Sequence, residues 1–86
     1  MTNKNKTIFN IIANKLIDAG VVSQDECMLI ARADTRKGRY WKRHILDLCN
    51  YALNKMTRQH IDNQQIRRVC EAGIRIAKDE TTTHTS

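Results

Sequence analysis

The sequence predicts an all-α protein that folds as one compact bundle of four helices, a single helical domain over residues 1–86. Three observations predict this fold. Apolar side chains recur at helical spacing along four segments, helix-start signals precede two of them, and the chain has no proline and only three glycines. No segment has the alternating pattern of a half-buried strand. An 86-residue chain forms only a modest core.

The first helix is predicted at about residues 7–19, after polar residues 1–6 that we expect to be flexible. Gly20 suits the position just past a helix end, where the backbone turns left-handed. Apolar residues occupy most of the circumference of this helix, so it must be buried within this chain or against a second copy. These residues are Ile8, Phe9, Ile11, Ile12, Leu16 and Ile17.

The second helix is predicted at about residues 24–33 and has a distinct start signal. Ser23 and Glu26 have the spacing of a capping box, in which each side chain accepts a hydrogen bond from the other residue's amide. The helix is apolar nearly all round, so we expect it to be buried as well. The first two helices together would permit a homodimer.

The third helix, at about residues 39–57, is the longest amphipathic segment, and we predict that it is the central element of the bundle. At 100° per residue, Trp41 heads a broad apolar face and is predicted to belong to the core. His44 lies at the border of that face and is predicted to be exposed. The opposite face is polar and carries Arg39, Arg43, Asp47, Asn50 and Asn54.

The fourth helix is predicted at about residues 63–79, with Asp62 as its N-cap and with Ile61 and Ile66 spaced as a hydrophobic staple. Gly73 falls on its apolar face and would allow close helix contact. Glu71 is placed to pair with the arginines four residues away on either side. The polar residues 80–86 are expected to be flexible.

The residues that usually carry chemistry are not arranged for it in this sequence. Cys27, Cys49 and Cys70 are odd in number and lie on helices expected to be buried, which argues against a disulfide framework. The three histidines lack zinc-ligand spacing. Most of the acids suit helix caps, intrahelical pairs or exposed positions, and no catalytic motif occurs. We therefore predict a protein that is not an enzyme and that has no metal site and no cofactor.

A run of positive charge precedes and opens the third helix, in a chain of net charge +6. We call residues 36–43 the basic elbow; its cationic residues are Arg36, Lys37, Arg39, Lys42 and Arg43. Such side chains can neutralise nucleic-acid phosphates or dock on an acidic protein. A secondary basic face consists of Arg67, Arg68 and Arg75, and the sequence does not place it relative to the elbow.

The elbow favours one function and leaves two alternatives open. The favoured function is a regulator or accessory factor that contacts nucleic-acid phosphates. One alternative is an inhibitor or adaptor, of the phage, plasmid or immunity type, which docks its basic face on an acidic protein surface. The other is a homodimer whose charge serves only solubility. The chain has no membrane-length apolar run and no secretory signal pattern, so we expect a cytoplasmic protein.

Overall fold

The computed structural model describes residues 4–32 and 41–85, except for the side chains of Arg32 and of residues 79–85. Four helices form the described chain: α1 (Lys4–Asp18), α2 (Gln24–Arg32), α3 (Trp41–Gln59) and α4 (Gln64–Thr85). The predicted all-α class and the four-helix order are confirmed. No strand occurs within the described residues.

Two helix bounds lie well outside the predicted ones. Helix α1 begins at Lys4 rather than near residue 7, and α4 continues to Thr85 rather than ending near residue 79. Both extensions consist of polar residues, which carry no apolar periodicity. Once a helix is nucleated, each further residue adds a backbone hydrogen bond without needing a buried side chain, so the polar ends can prolong the helices.

Helix α3 is the central element, as predicted, because it packs against all three other helices. Helices α1 and α4 also contact one another, whereas α2 packs against α1 and α3. The largest side chains that are almost completely shielded from solvent come from the α1–α3–α4 interface and from the turn after α1. They are Leu16, Val21, Ile45, Leu48, Cys49, Met56 and Cys70.

Gly73 lies where α1, α3 and α4 meet. A Cβ atom at this position would lie 2.5 Å from Cys49 Sγ, 2.9 Å from Ile12 Cδ1 and 3.4 Å from Ile45 Cγ2. The first two distances are shorter than van der Waals contact, so a side chain at this position would have to displace Cys49 or Ile12, and glycine lets the helices approach closely without that shift. The close helix contact predicted for Gly73 is confirmed.

The turn between α1 and α2 follows the local signals in the sequence. Gly20 has a φ of 76° and donates its amide to Ile17 O, while the Val21 amide donates to Leu16 O at 3.0 Å. This is the double hydrogen bond of a Schellman motif. The capping box is also formed: the Ser23 amide donates to Glu26 Oε1 at 2.7 Å, and the Glu26 amide donates to Ser23 Oγ at 3.2 Å.

The N-cap of α4 is Asn63, so the prediction of Asp62 is wrong. The Ile66 amide donates to Asn63 Oδ1 at 3.2 Å. The reason lies at the end of α3, where a second Schellman motif uses His60, at φ 55°, and Ile61, whose amide donates to Met56 O at 2.9 Å. After that turn, α4 begins one residue later than a helix with Asp62 as its N-cap would begin. The predicted staple is consequently out of register, although Ile61 and Ile66 both join the core cluster.

Two predictions about burial are also wrong. His44 is 3% exposed rather than open to solvent, because α1 brings Phe9 over it. Helix α2 is not buried all round: Met28 is 48% exposed and Leu29 66% exposed. This nine-residue helix packs on one flank of the α1–α3 pair, so its opposite side faces solvent.

Candidate functional site

Helices α3 and α4 form an antiparallel pair, and the contacts at Gly73 set their register. Gly73 lies against Cys49 and Ile45 in the first half of α3. Because the two helices are antiparallel, the turns of α4 that follow Gly73 lie beside the beginning of α3. Arg75 and Lys78 therefore lie at the same end of the pair as Lys42 and Arg43. The register thus relates the two basic segments, which the sequence alone could not place.

The three arginines of the secondary basic face lie on the solvent side of α4. Arg67, Arg68 and Arg75 are all exposed. At 100° per residue they fall within about a third of the helix circumference. The opposite side of α4 carries the buried residues Ile66, Cys70, Gly73 and Ala77.

The outer flanks of α3 and α4 face the same side of the pair. Arg67 lines a shallow depression together with Met56 and Thr57 of α3. Thr57, Asn50 and Arg43 follow one another at seven-residue spacing, so they share one flank of α3. We call the combined surface the basic face, and it consists of Lys42 and Arg43 on α3 and Arg67, Arg68, Arg75 and Lys78 on α4.

Few internal ion pairs neutralise the arginines of the basic face. Within the described part of the chain, Glu71 makes no ion pair within 4.0 Å to Arg67 or Arg75, so its predicted pairing is not formed. Exposed long side chains gain little from such pairs, because water competes for both charges. The three α4 guanidinium groups are therefore available to an external anion.

Arg43 forms an exposed ion pair with Asp47 on this surface. Its Nε lies 3.6 Å from Asp47 Oδ1, with the two side chains 72% and 46% exposed. An exposed pair of this kind contributes between nothing and about 1 kcal/mol. Arg43 could therefore give up its ion pair with Asp47 to bind a phosphate, with little loss of folding free energy.

The start of α3 is held by aromatic packing. The Trp41 ring meets Phe9 edge-on at 5.4 Å and His44 at 5.3 Å. Trp41 is partly buried and packs against the core cluster, as predicted. Lys6 Nζ lies 5.9 Å from the centre of the same ring, at a distance suited to a cation–π interaction. This packing anchors the start of α3 against α1.

Most of the basic elbow lies outside the described residues. Arg36, Lys37 and Arg39 fall in the segment between α2 and α3 that the structure does not describe. Of the predicted elbow cations, only Lys42 and Arg43 are placed, the first half-buried and the second exposed.

A charged network on the far flank of α3 links that helix to α2. The Glu26 carboxylate accepts hydrogen bonds from the Tyr51 hydroxyl and from Lys55 Nζ, the latter at 3.0 Å. Together with the Ser23 amide, these donors lower the pKa of Glu26 to about 2. Glu26 thus remains an anion engaged in structure. The sequence predicted the capping role of Glu26 but not this network, although Tyr51 and Lys55 are spaced four residues apart, as neighbours on one helix face are.

The titratable core residues are shielded from solvent. Cys27, Cys49 and Cys70 are free thiols and all are buried. Burial raises the pKa of Cys27, and a hydrogen bond with Cys70 together with burial raises that of Cys49. His44 Nδ1 is buried without a hydrogen-bond partner. Among the side chains that the structure describes, no group of three metal-ligating residues comes together.

The described helices include none that is both long and apolar enough to cross a membrane. Comparison of the chain with protein-family models, with curated proteins and with solved structures gives no match. Any function must therefore be argued from the basic face itself.

Proposed function

We propose that this protein is a non-enzymatic binding protein whose basic face contacts the phosphates of a nucleic acid, as a regulator or accessory factor. One observation carries the proposal. Among the described residues, Arg67, Arg68 and Arg75 are exposed and make no ion pair. By helical phase and the α3–α4 register, they lie on the same side of the helix pair as Arg43. Four guanidinium groups on one rigid two-helix surface suit a ligand that carries many regularly spaced negative charges.

The chemistry of arginine supports phosphate as the group that is bound. A guanidinium group presents its donors in a planar fork and can give two parallel hydrogen bonds to one phosphate. The proposal extends to the basic elbow, whose Arg36, Lys37 and Arg39 precede the same end of the helix pair in sequence. It also includes a cytoplasmic location.

The positions of the described acids support a role without catalysis. Glu26 is engaged by Tyr51, Lys55 and the capping box, and Asp47 pairs with Arg43. General acid–base catalysis needs a titratable group in a shielded site beside a substrate. The basic face offers an open cationic surface, which suits binding.

Fluorescence anisotropy with labelled nucleic acid of mixed sequence tests the proposal. We expect binding at low salt, with an affinity that falls linearly against salt on logarithmic axes as counterions are released. The Arg36→Ala/Lys37→Ala variant should bind more weakly while its urea midpoint stays close to that of the wild type, within about 0.5 kcal/mol, which is the usual limit for a substitution outside the core. The absence of binding to any nucleic acid at low salt would refute the proposal.

An acidic protein partner is the second candidate, and exposed apolar surface favours it. Leu29 and Met28 project from α2, and a groove of about 510 Å³ lies between α1 and α2. Apolar side chains of this kind are often covered by a protein partner. In this proposal the chain acts as an inhibitor or adaptor, with arginines at the edge of the contact.

A homodimer formed through α1 and α2 is another protein–protein contact that would cover this apolar surface. Size-exclusion chromatography with light scattering tests for this dimer. If α2 forms the dimer interface, the wild type should elute as a dimer and the Leu29→Glu variant as a monomer. A monomeric wild type at high concentration would exclude the dimer and leave the apolar patch for another protein.

A further inference from the structure

We infer that the ligand of the basic face is double-stranded nucleic acid, bound through the phosphates of both strands. This inference rests on the proposed function and deepens it. Its basis is that the cations of the basic face come from two neighbouring antiparallel helices rather than from one.

Helix geometry separates these cations in two directions. Arg67 and Arg75 are eight residues apart, which is about 12 Å along α4 at 1.5 Å per residue. Arg43 lies on the neighbouring helix, α3. The axes of packed helices lie about 8–10 Å apart, and Gly73 removes the side chain that would widen this spacing. A duplex offers two phosphate rows across a groove, whereas a single strand offers one.

The aromatic side chains support the same conclusion. Proteins that bind single strands combine a positive groove with aromatic rings on which bases stack. Among the described residues, no phenylalanine, tyrosine or tryptophan lies on the basic face. Phe9 of α1 and Trp41 pack against each other at the start of α3. The Tyr51 hydroxyl binds Glu26 on the flank of α3 that faces α2. The described face can hold phosphates but has no ring to stack on a base.

The uncharged residues of the α3 flank complete a phosphate-binding surface. Asn50 and Asn54 are exposed on the same flank of α3 as Arg43, and side-chain amides commonly donate to phosphate oxygens. The described part of this surface presents these groups on two helices. We therefore expect contacts to the backbone of the duplex, with little preference for base sequence.

The test measures the affinity of the full chain for a short labelled duplex of mixed sequence and for each of its strands alone, with separate DNA and RNA arms. The variant is Arg67→Gln/Arg75→Gln. Its matched control is Lys4→Gln/Lys15→Gln, which removes the same charge from exposed positions on α1. Circular dichroism verifies that both variants fold.

We expect the duplex to bind more tightly than either strand. The α4 variant should weaken duplex binding roughly 10- to 100-fold at about 0.1 M salt and reduce the logarithmic salt slope by about 1.8, which is the loss of two phosphate contacts. The α1 control should keep the slope. Tighter binding of a single strand would overturn this inference but leave the proposed function standing. Equal losses in the two variants would overturn the assignment to the α3–α4 surface, and no binding to any form would refute both proposals.

Discussion

Replacing Gly73 with alanine tests the packing that sets the register of α3 and α4. In an exposed helix this change is favourable, because alanine is preferred to glycine by about 1 kcal/mol. Here the added methyl would lie 2.5 Å from Cys49 Sγ and 2.9 Å from Ile12 Cδ1. Both neighbours are buried, so neither can move into solvent.

The expected cost follows from these contacts. Overpacking a core with one methyl group costs about 1–3 kcal/mol, and two contacts below 3.0 Å place Gly73→Ala near the upper end of that range. The helix preference offsets about 1 kcal/mol. We therefore expect a net loss of about 1–2 kcal/mol, or a melting temperature lower by about 5–15 °C in a domain of this size.

Urea denaturation followed by circular dichroism measures this loss, and a double-mutant cycle with Cys49→Ala locates its cause. Removing the sulfur frees the space that the new methyl needs, so Gly73→Ala should cost at least about 1 kcal/mol less in the Cys49→Ala background. A Gly73→Ala protein as stable as the wild type would refute the packing argument. An unchanged cost in the Cys49→Ala background would refute the role of the sulfur.

Three further predictions concern helix ends and the Glu26 network. Because the pKa of Glu26 is lowered from 4.5 to about 2, its partners stabilise the fold above about pH 4.5, and this contribution is lost as the pH falls towards 2. Glu26→Gln should lower the free energy of unfolding by about 1–2 kcal/mol near pH 7. On acidification, the urea midpoint of this variant should fall less than that of the wild type. An equal fall in the two proteins would contradict this prediction. His60→Gly should raise stability by about 0.5–1 kcal/mol, because φ is 55° at this position, and a lower melting temperature would contradict it. Asn63→Ala should cost about 1 kcal/mol in urea denaturation and Asp62→Ala much less, whereas the reverse order would restore Asp62 as the N-cap.

The helix starts and ends that depend on neighbouring residues could be predicted from the sequence. Gly20 and the Ser23–Glu26 capping box act within a few residues, so their spacing was enough to predict their hydrogen bonds. The cap of α4 was predicted one residue too early, because Asp62 and Asn63 are both good caps. The choice between them depends on the left-handed turn at His60, where the sequence has no glycine to mark it.

Features that depend on distant segments could not be predicted. The burial of His44 requires Phe9 from α1, and the exposure of Leu29 follows from the one-sided packing of α2. For the candidate site, helical phase predicted that Arg67, Arg68 and Arg75 share a face. Their placement beside Arg43 required the register set at Gly73, which is a tertiary contact.

The central claim is that the outer surface of α3 and α4 binds a nucleic-acid duplex, and an amide chemical-shift titration tests it most directly. The isotope-labelled full chain is titrated with a short unlabelled duplex at low salt. We predict that the shifts concentrate at Arg43, Asn50, Arg67 and Arg75, while the amides of Met28 and Leu29 on α2 stay in place. Shifts confined to α2, or a spectrum unchanged at saturating duplex, would contradict the assignment of the binding surface.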